Sequence, residues 1–123
     1  MINYNVKKQN DIFYDVLNLP LKTKIDIINY AYAKNYNFWV DKLDCNIGFA
    51  RQTFDMSFDD IMKKFNDKCH FSVIRRRGWT DLTPKFYGEI GFRTMTSVDY
   101  FLWLYVSLEN FTKLIKKFNL IEI

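Results

Sequence analysis

The chain has 123 residues, of which 49% are hydrophobic, 19% aromatic and 26% charged, with one His and two Cys. This length allows one compact domain, so we expect residues 1–123 to form a single α+β domain with its own core. The high hydrophobic fraction, with only 4 Gly and 2 Pro, excludes an intrinsically disordered chain, a collagen and a low-complexity linker. The formal net charge of +4 is only a mild bias toward polyanions, because acidic and basic residues are interleaved.

The start of the chain and its amino-acid usage indicate a compartment and an origin. No apolar stretch follows the first charged residues, and the longest uncharged apolar-rich run, 100–108, is far shorter than the ~20 residues of a membrane helix. We therefore expect a cytoplasmic protein with no membrane partner, in which Cys45 and Cys69 are free thiols. About half of the chain consists of Phe, Tyr, Met, Ile, Asn and Lys, whose codons are AT-rich. This usage indicates an AT-rich bacterium, or a phage or mobile element living in one.

The first part of the chain predicts two helices. Asn10 is a good N-cap, and the apolar residues that follow it at helical spacing predict a short helix ending before Pro20. A second helix is capped by Thr23, with Asp26 three residues later, and its apolar stripe ends near Asn35.

Two strands and a third helix are predicted next. Aromatic and β-branched residues fill 36–43 and 46–54, and the short connection between these stretches favours a tight turn. Ser57 and Asp60 then form a capping box. Because apolar residues follow at i, i+3, i+4 and i+7, a helix is predicted over 58–68 with one buried face.

Three strands and a last helix complete the predicted fold. The strands cover His70–Arg77, 86–95 and 99–106, and their connections are too short for a crossover helix, so they must pair antiparallel. The third of them has apolar residues on both faces, which predicts a central strand covered on both sides. The final helix begins at Ser107. We therefore expect an antiparallel sheet of four to five strands with about three amphipathic helices packed mainly on one face.

The sequence contains few residues of the kinds that catalysis or metal binding needs. His70 is the only residue with an ordinary pKa near neutrality, and a strand would direct Cys69 and His70 to opposite faces. Together with Cys45 they are the candidate N or S ligands, and they contain no CxxC pair. Gly88 and Gly91 lie inside a strand and indicate a bulge or close packing, not a phosphate loop. We predict no catalytic residue, no metal and no cofactor; a pocket holding either thiol beside His70 would favour an enzyme.

The most distinctive local feature is a run of three arginines followed by a long loop. Arg75 and Arg77 share one strand face and Arg76 takes the other, so at least one face must be wet. The loop carries a Trp and is longer than a hairpin requires, and we expect the next strand to extend the patch. The predicted partner-binding residues are Arg75, Arg76, Arg77, Trp79, Lys85 and Arg93.

Arg and Trp side chains in one segment have three interpretations. They are enriched at the hot spots of protein interfaces, they bind single-stranded nucleic acid, and arginines at a sheet edge also prevent aggregation. Because no catalytic constellation is present, we expect a small non-catalytic protein that inhibits another protein. Its partner would be a bacterial toxin, as for a toxin-immunity protein, or a bacterial defence nuclease, as for an anti-CRISPR-like blocker. The alternative is a nucleic-acid-binding module that uses the Arg and Trp patch.

Overall fold

The computed structural model describes residues 11–46, 48, 52–78 and 86–123, which form an α+β fold around one antiparallel sheet. The strands are β1 (Ile12–Phe13), β2 (Asn35–Asp44), β3 (Gln52–Phe54), β4 (His70–Arg77), β5 (Phe86–Arg93) and β6 (Val98–Ser107), and the helices are α1 (Leu21–Ala33), α2 (Phe58–Met62) and α3 (Leu108–Phe118). The strand order is β1-β4-β5-β6-β2-β3. The predicted class is confirmed, with six strands in place of four to five.

The three helices pack on one face of the sheet, which we term the helical face. Buried residues of the helices, such as Ile27 and Phe111, share one hydrophobic core with strand residues such as Val73 and Leu104. The opposite face, termed the distal face, carries none of the described helices. It bears the other alternating set of strand side chains, among them Ser72, Ile74, Arg76, Glu89, Phe101, Trp103 and Tyr105. Within the described part of the chain, no helix is both long enough and apolar enough to span a membrane.

Strand β6 lies between β5 and β2, as its two apolar faces predict. On the helical face Leu102 and Leu104 are completely buried, and on the distal face Phe101 and Trp103 are buried as well. The predicted strands that become β4, β5 and β6 are all present and antiparallel.

The short helix predicted before Pro20 is wrong, because the backbone there is used for sheet pairing. The N–H of Tyr14 donates to the carbonyl of Val73 at 3.1 Å, and the N–H of Asp15 donates to the carbonyl of Ile121 at 2.8 Å. These partners are distant in sequence, so long-range hydrogen bonds override a helical spacing of apolar residues. The segment forms β1 and an isolated bridge instead.

The second predicted helix is confirmed as α1, but its start is not at Thr23. The helix begins directly after Pro20, which has no side chain able to cap it, and the N–H of Lys24 donates to the Pro20 carbonyl at 3.1 Å. Pro20 occupies the N-cap position with φ −58° and ψ 151°, so this helix begins without a side-chain cap.

The predicted helix over 58–68 is correct at its start and too long at its end. The hydroxyl of Ser57 accepts from the N–H of Asp60 at 3.1 Å, as the capping box predicts. At the end of the helix the carbonyls of Ile61 and Met62 accept from the N–H groups three positions later. The carboxamide oxygen of Asn66 then accepts from the N–H of Lys68 at 2.8 Å. This side-chain turn ends the helical segment before β4.

The strand predicted over 46–54 is shorter within the described residues. There, Gln52–Phe54 forms a strand that pairs with β2, as expected, while positions 47 and 49–51 lie outside the described residues.

The two glycines of β5 lie where a side chain would not fit. A Cβ on Gly88 would overlap the ring of Phe111, and a Cβ on Gly91 would overlap the backbone carbonyl of Leu102. Close packing is therefore the reason for both glycines.

Candidate functional site

The three consecutive arginines point to both faces of β4, as strand geometry predicts. Arg75 lies on the helical-face side, where its guanidinium carbon is 4.1 Å from the centroid of the Phe86 ring. Arg77, at the end of the strand, is exposed. Arg76 points to the distal face and its side chain is only 12% exposed.

Arg76 is held between two buried carboxylates. Its Nη1 donates to Oδ2 of Asp11 at 2.6 Å, and its Nε donates to Oε2 of Glu89 at 2.8 Å. Glu89 also shares a hydrogen bond with Tyr105, and burial beside this carboxylate raises the pKa of that phenol far above its usual value. The same causes raise the pKa of Tyr87 to about 12. The Arg76 guanidinium thus offsets part of the negative charge of Asp11 and Glu89 in the protein interior.

Arg93 also forms an internal ion pair. Its Nε donates to Oδ2 of Asp99 at 2.5 Å, and the other oxygen of this buried carboxylate accepts from the hydroxyl of Thr94 and the N–H of Met95. Met95 has a positive φ of 63°. These bonds therefore hold the turn between β5 and β6 in a backbone conformation that residues other than glycine rarely adopt.

Among the described residues of the predicted partner-binding set, the structure separates Arg93 from Arg77. Arg93 pairs in register with His70 at the start of β4, whereas Arg77 lies at the other end of that strand. About seven residues at ~3.3 Å each separate the two positions. Trp79 and Lys85 lie outside the described residues, so their role stays a prediction.

A groove of about 540 Å³ opens at the edge of the sheet, beside the first half of β4. One wall is the segment 13–17, which leaves the sheet after β1, and the other is 67–73. Lys24 of α1, Met95 and Ile123 complete the lining. Three apolar side chains at its rim are exposed: Leu17 is 80% exposed, Ile123 83% and Met95 56%.

No described strand pairs with the edge of β4 inside this groove. Strand β1 pairs only with Ile74 and Arg75, and the last bond of this ladder is the one from Tyr14 to the Val73 carbonyl. Since N–H and C=O groups on one side of a strand recur every second residue, those of Phe71 point to the same edge as those of Val73. Among the described residues, no strand pairs with Phe71 on that side.

Cys69 and His70 both line the groove, which is the arrangement that would favour an enzyme. Burial raises the pKa of the Cys69 thiol, and the Asn66 N–H, which donates to its sulfur at 3.4 Å, opposes this only in part. Burial also lowers the pKa of His70, and the charges of Arg93 and Lys24 lower it further. The pair therefore favours a neutral thiol and a neutral imidazole, whereas a reactive cysteine needs a thiolate.

Ser72, two residues after His70 in β4, also lines the groove. It is 6% exposed, and its buried hydroxyl has no hydrogen-bond partner within the described part of the chain. A buried unsatisfied hydroxyl lowers the stability of the fold by about 1–3 kcal/mol.

The second thiol lies elsewhere: the N–H of Cys45 donates to the Ser97 carbonyl near the end of β2, and β2 is three strands away from β4. Within the described ranges, no group of three His, Cys, Asp or Glu side chains could hold a metal ion.

Sequence reasoning missed this groove because its walls come from distant parts of the chain. His70 was the one signal available from the sequence, since it is the single histidine. Nothing in a local pattern shows that Leu17, Met95 and Ile123 surround it. A scan of protein-family models and searches of curated proteins and of solved structures found no match to the chain.

Proposed function

We propose that this protein is a small non-catalytic inhibitor that binds another protein at the groove beside β4. The observation that carries the proposal is the exposed apolar rim of Leu17, Met95 and Ile123 around an edge of β4 that no described strand covers. Exposed apolar groups next to unsatisfied backbone groups are typical of surfaces that bind proteins. The partner class stays as expected from the sequence: a bacterial toxin or a defence nuclease.

The nucleic-acid alternative has less support from the described arginines. Phosphate binding needs cations that are free to form ion pairs at the surface. Arg76 and Arg93 are instead bonded to the buried carboxylates of Glu89, Asp11 and Asp99. Of the described arginines, Arg77 is exposed, and a single exposed arginine gives little affinity for a polyanion.

The enzyme alternative requires the thiol in the groove to ionise. Its pKa is raised by burial, and the neighbouring His70 has a lowered pKa, so it resists the protonated state that would stabilise a thiolate. The Cys69 sulfur instead bonds to its own turn through Asn66 and Lys64. These contacts support a structural thiol.

The test is a pull-down from a nuclease-treated lysate of an AT-rich bacterium. The bait proteins are the wild type, a Leu17→Asp/Ile123→Asp variant, and the control Tyr36→Asp, which alters an apolar residue that is 52% exposed on β2. We expect the wild type and the control to retain the same protein partner, and the rim variant to retain at least tenfold less. Retention by the rim variant, no retained protein at all, or loss of the partner on nuclease treatment would overturn the proposal.

A further inference from the structure

We propose that, before the partner binds, the groove is covered by a second copy of this chain in a two-fold symmetric dimer. Segment 13–17 of each copy lies in the groove of the other. This inference rests on the proposed function, because both use the same surface and the partner must displace the second copy to bind.

Exposed apolar side chains are concentrated at this groove. Among the described residues, the exposed large apolar side chains that are not aromatic are Leu17, Met95, Ile121 and Ile123. Leu17, Met95 and Ile123 line the groove. The carbonyl of Ile121 accepts from the N–H of Asp15 at 2.8 Å, on the segment that forms one wall. Such a concentration on one surface of a small protein is typical of an interface with another protein chain.

The wall formed by 13–17 presents a carboxylate and an apolar side chain together. Asp15 and Leu17 are exposed, whereas Val16 between them is 6% exposed. Since Val16 points into the core, the side chains before and after it point outward. A protein surface placed over this wall would therefore meet one negative charge and one leucine side by side.

The charges of the groove favour a second copy over a strongly acidic or strongly basic partner. The lining contains two lysines, Lys24 and Lys68, and two aspartates, Asp15 and Asp67. Within the described part of the chain, none of the four forms an ion pair. A surface with both signs in equal number fits a copy of itself, provided that carboxylates of one copy face lysines of the other.

Two-fold symmetry supplies that arrangement, because the two signs lie on both sides of the groove. Asp15 is on one wall and Lys68 on the other. With the two-fold axis parallel to the groove, segment 13–17 of each copy enters the groove of the other. Asp15 then faces Lys68 of the second copy, and Leu17 packs against its apolar lining, which includes Phe71 and Val73. In such an interface every contact is made twice.

The first experiment measures the oligomeric state of the purified protein by sedimentation velocity, from low to high micromolar concentration. We expect the wild type and the control Tyr36→Asp to change from one chain to two as the concentration rises. Leu17→Asp should raise the dimer dissociation constant at least tenfold. The Leu17 side chain is 80% exposed, so the fold should be retained, which a thermal melt checks.

The second experiment exchanges charges between two variants. Asp15→Lys/Asp67→Lys removes the aspartates from the groove, and Lys24→Asp/Lys68→Asp removes the lysines. Each variant alone should remain a single chain in the same concentration range, because like charges would then meet. An equimolar mixture should form a dimer that contains one copy of each. If the second variant fails to fold, Lys68→Asp alone replaces it, since Lys68 is exposed.

A charge control and the pull-down separate this inference from the proposed function. Asp59→Lys/Glu109→Lys makes the same change in net charge as the first variant, at exposed positions of α2 and α3, and it should dimerise as the wild type does. A wild type that stays a single chain at every concentration, a dimer that Leu17→Asp leaves intact, or folded charge variants whose mixture forms no dimer would overturn the inference. The proposed function would still stand if the pull-down retains the partner, and it would fall if the pull-down fails, whatever the oligomeric state.

Discussion

His70 gives the fold a pH dependence whose sign follows from its surroundings. Its pKa is lowered in the folded state by burial, with smaller contributions from Arg93 and Lys24. The unfolded chain therefore binds a proton more readily below the ordinary value of about 6.5. The stabilisation is complete above pH 6.5 and is lost as the pH falls toward the folded pKa. We expect the free energy of unfolding, measured by urea titration, to fall between pH 7 and pH 5.

His70→Gln isolates this effect, because the chain has no other histidine. The variant should lose the part of the pH dependence that lies just below pH 6.5 and keep the part that carboxylates cause at lower pH. An unchanged profile from pH 7 to pH 5.5 would show that His70 titrates alike in the folded and unfolded states.

The buried ion pairs of Arg76 with Asp11 and Glu89 lead to a second prediction. Arg76→Met would leave Asp11 and Glu89 buried without their counter-charge, and breaking a buried pair in this way costs about 3–5 kcal/mol. We expect the Tm to fall by at least 10 °C, at roughly 4 °C per kcal/mol for a domain of this size. Arg77→Met is the matched control, because Arg77 is exposed, and it should change stability by at most about 0.5 kcal/mol. Equal Tm values for the two variants would refute the role given to Arg76.

At the scale of elements, the best-predicted helices are those with a polar cap close in sequence. Ser107 accepts from the N–H of Asn110 at 3.2 Å at the start of α3, which is the same contact that Ser57 makes at α2. Ser107→Ala should destabilise the protein by about 1 kcal/mol in denaturant unfolding. Ser97→Ala, at an exposed position of the β5–β6 turn, is the control and should have little effect. A cost below about 0.3 kcal/mol for the first change would show that the cap is not stabilising.

Other elements were predicted poorly because their causes are distant in sequence. Strand β1 depends on Arg75 and Ile74 of β4, and no local pattern around Ile12 reveals that pairing. The arginines show the same limit: strand alternation correctly separates Arg76 from Arg75 and Arg77, but the carboxylates that hold Arg76 come from positions 11 and 89. Within the groove, His70 is the residue that stands out in the sequence. The opposite wall comes from the segment that leaves β1, and no local pattern places that segment beside His70.

For the molecule as a whole, the strand order determines when the sheet can be completed. Strands β4, β5 and β6 pair with their sequence neighbours, whereas β2 pairs with β6, from Asn35 with Val106 to Asp44 with Val98. Long-range pairing of this kind is slow, because the chain must lose loop entropy before the contacts form. We expect Val40→Ala in β2 to speed unfolding more than it slows folding, and Ile90→Val in β5 to slow folding, in stopped-flow measurements. The reverse pattern would place β2 in the folding nucleus.

On the ribosome, the separation of β2 from β6 along the chain imposes a waiting time. Strand β2 emerges about 60 residues before β6, which is about 3 to 12 s of synthesis at roughly 5–20 residues per second. During that interval Val40 and Phe38, which the finished protein packs against its core, have no sheet to join. The nascent chain therefore presents the apolar side chains of β2 to chaperones and proteases until β6 is made.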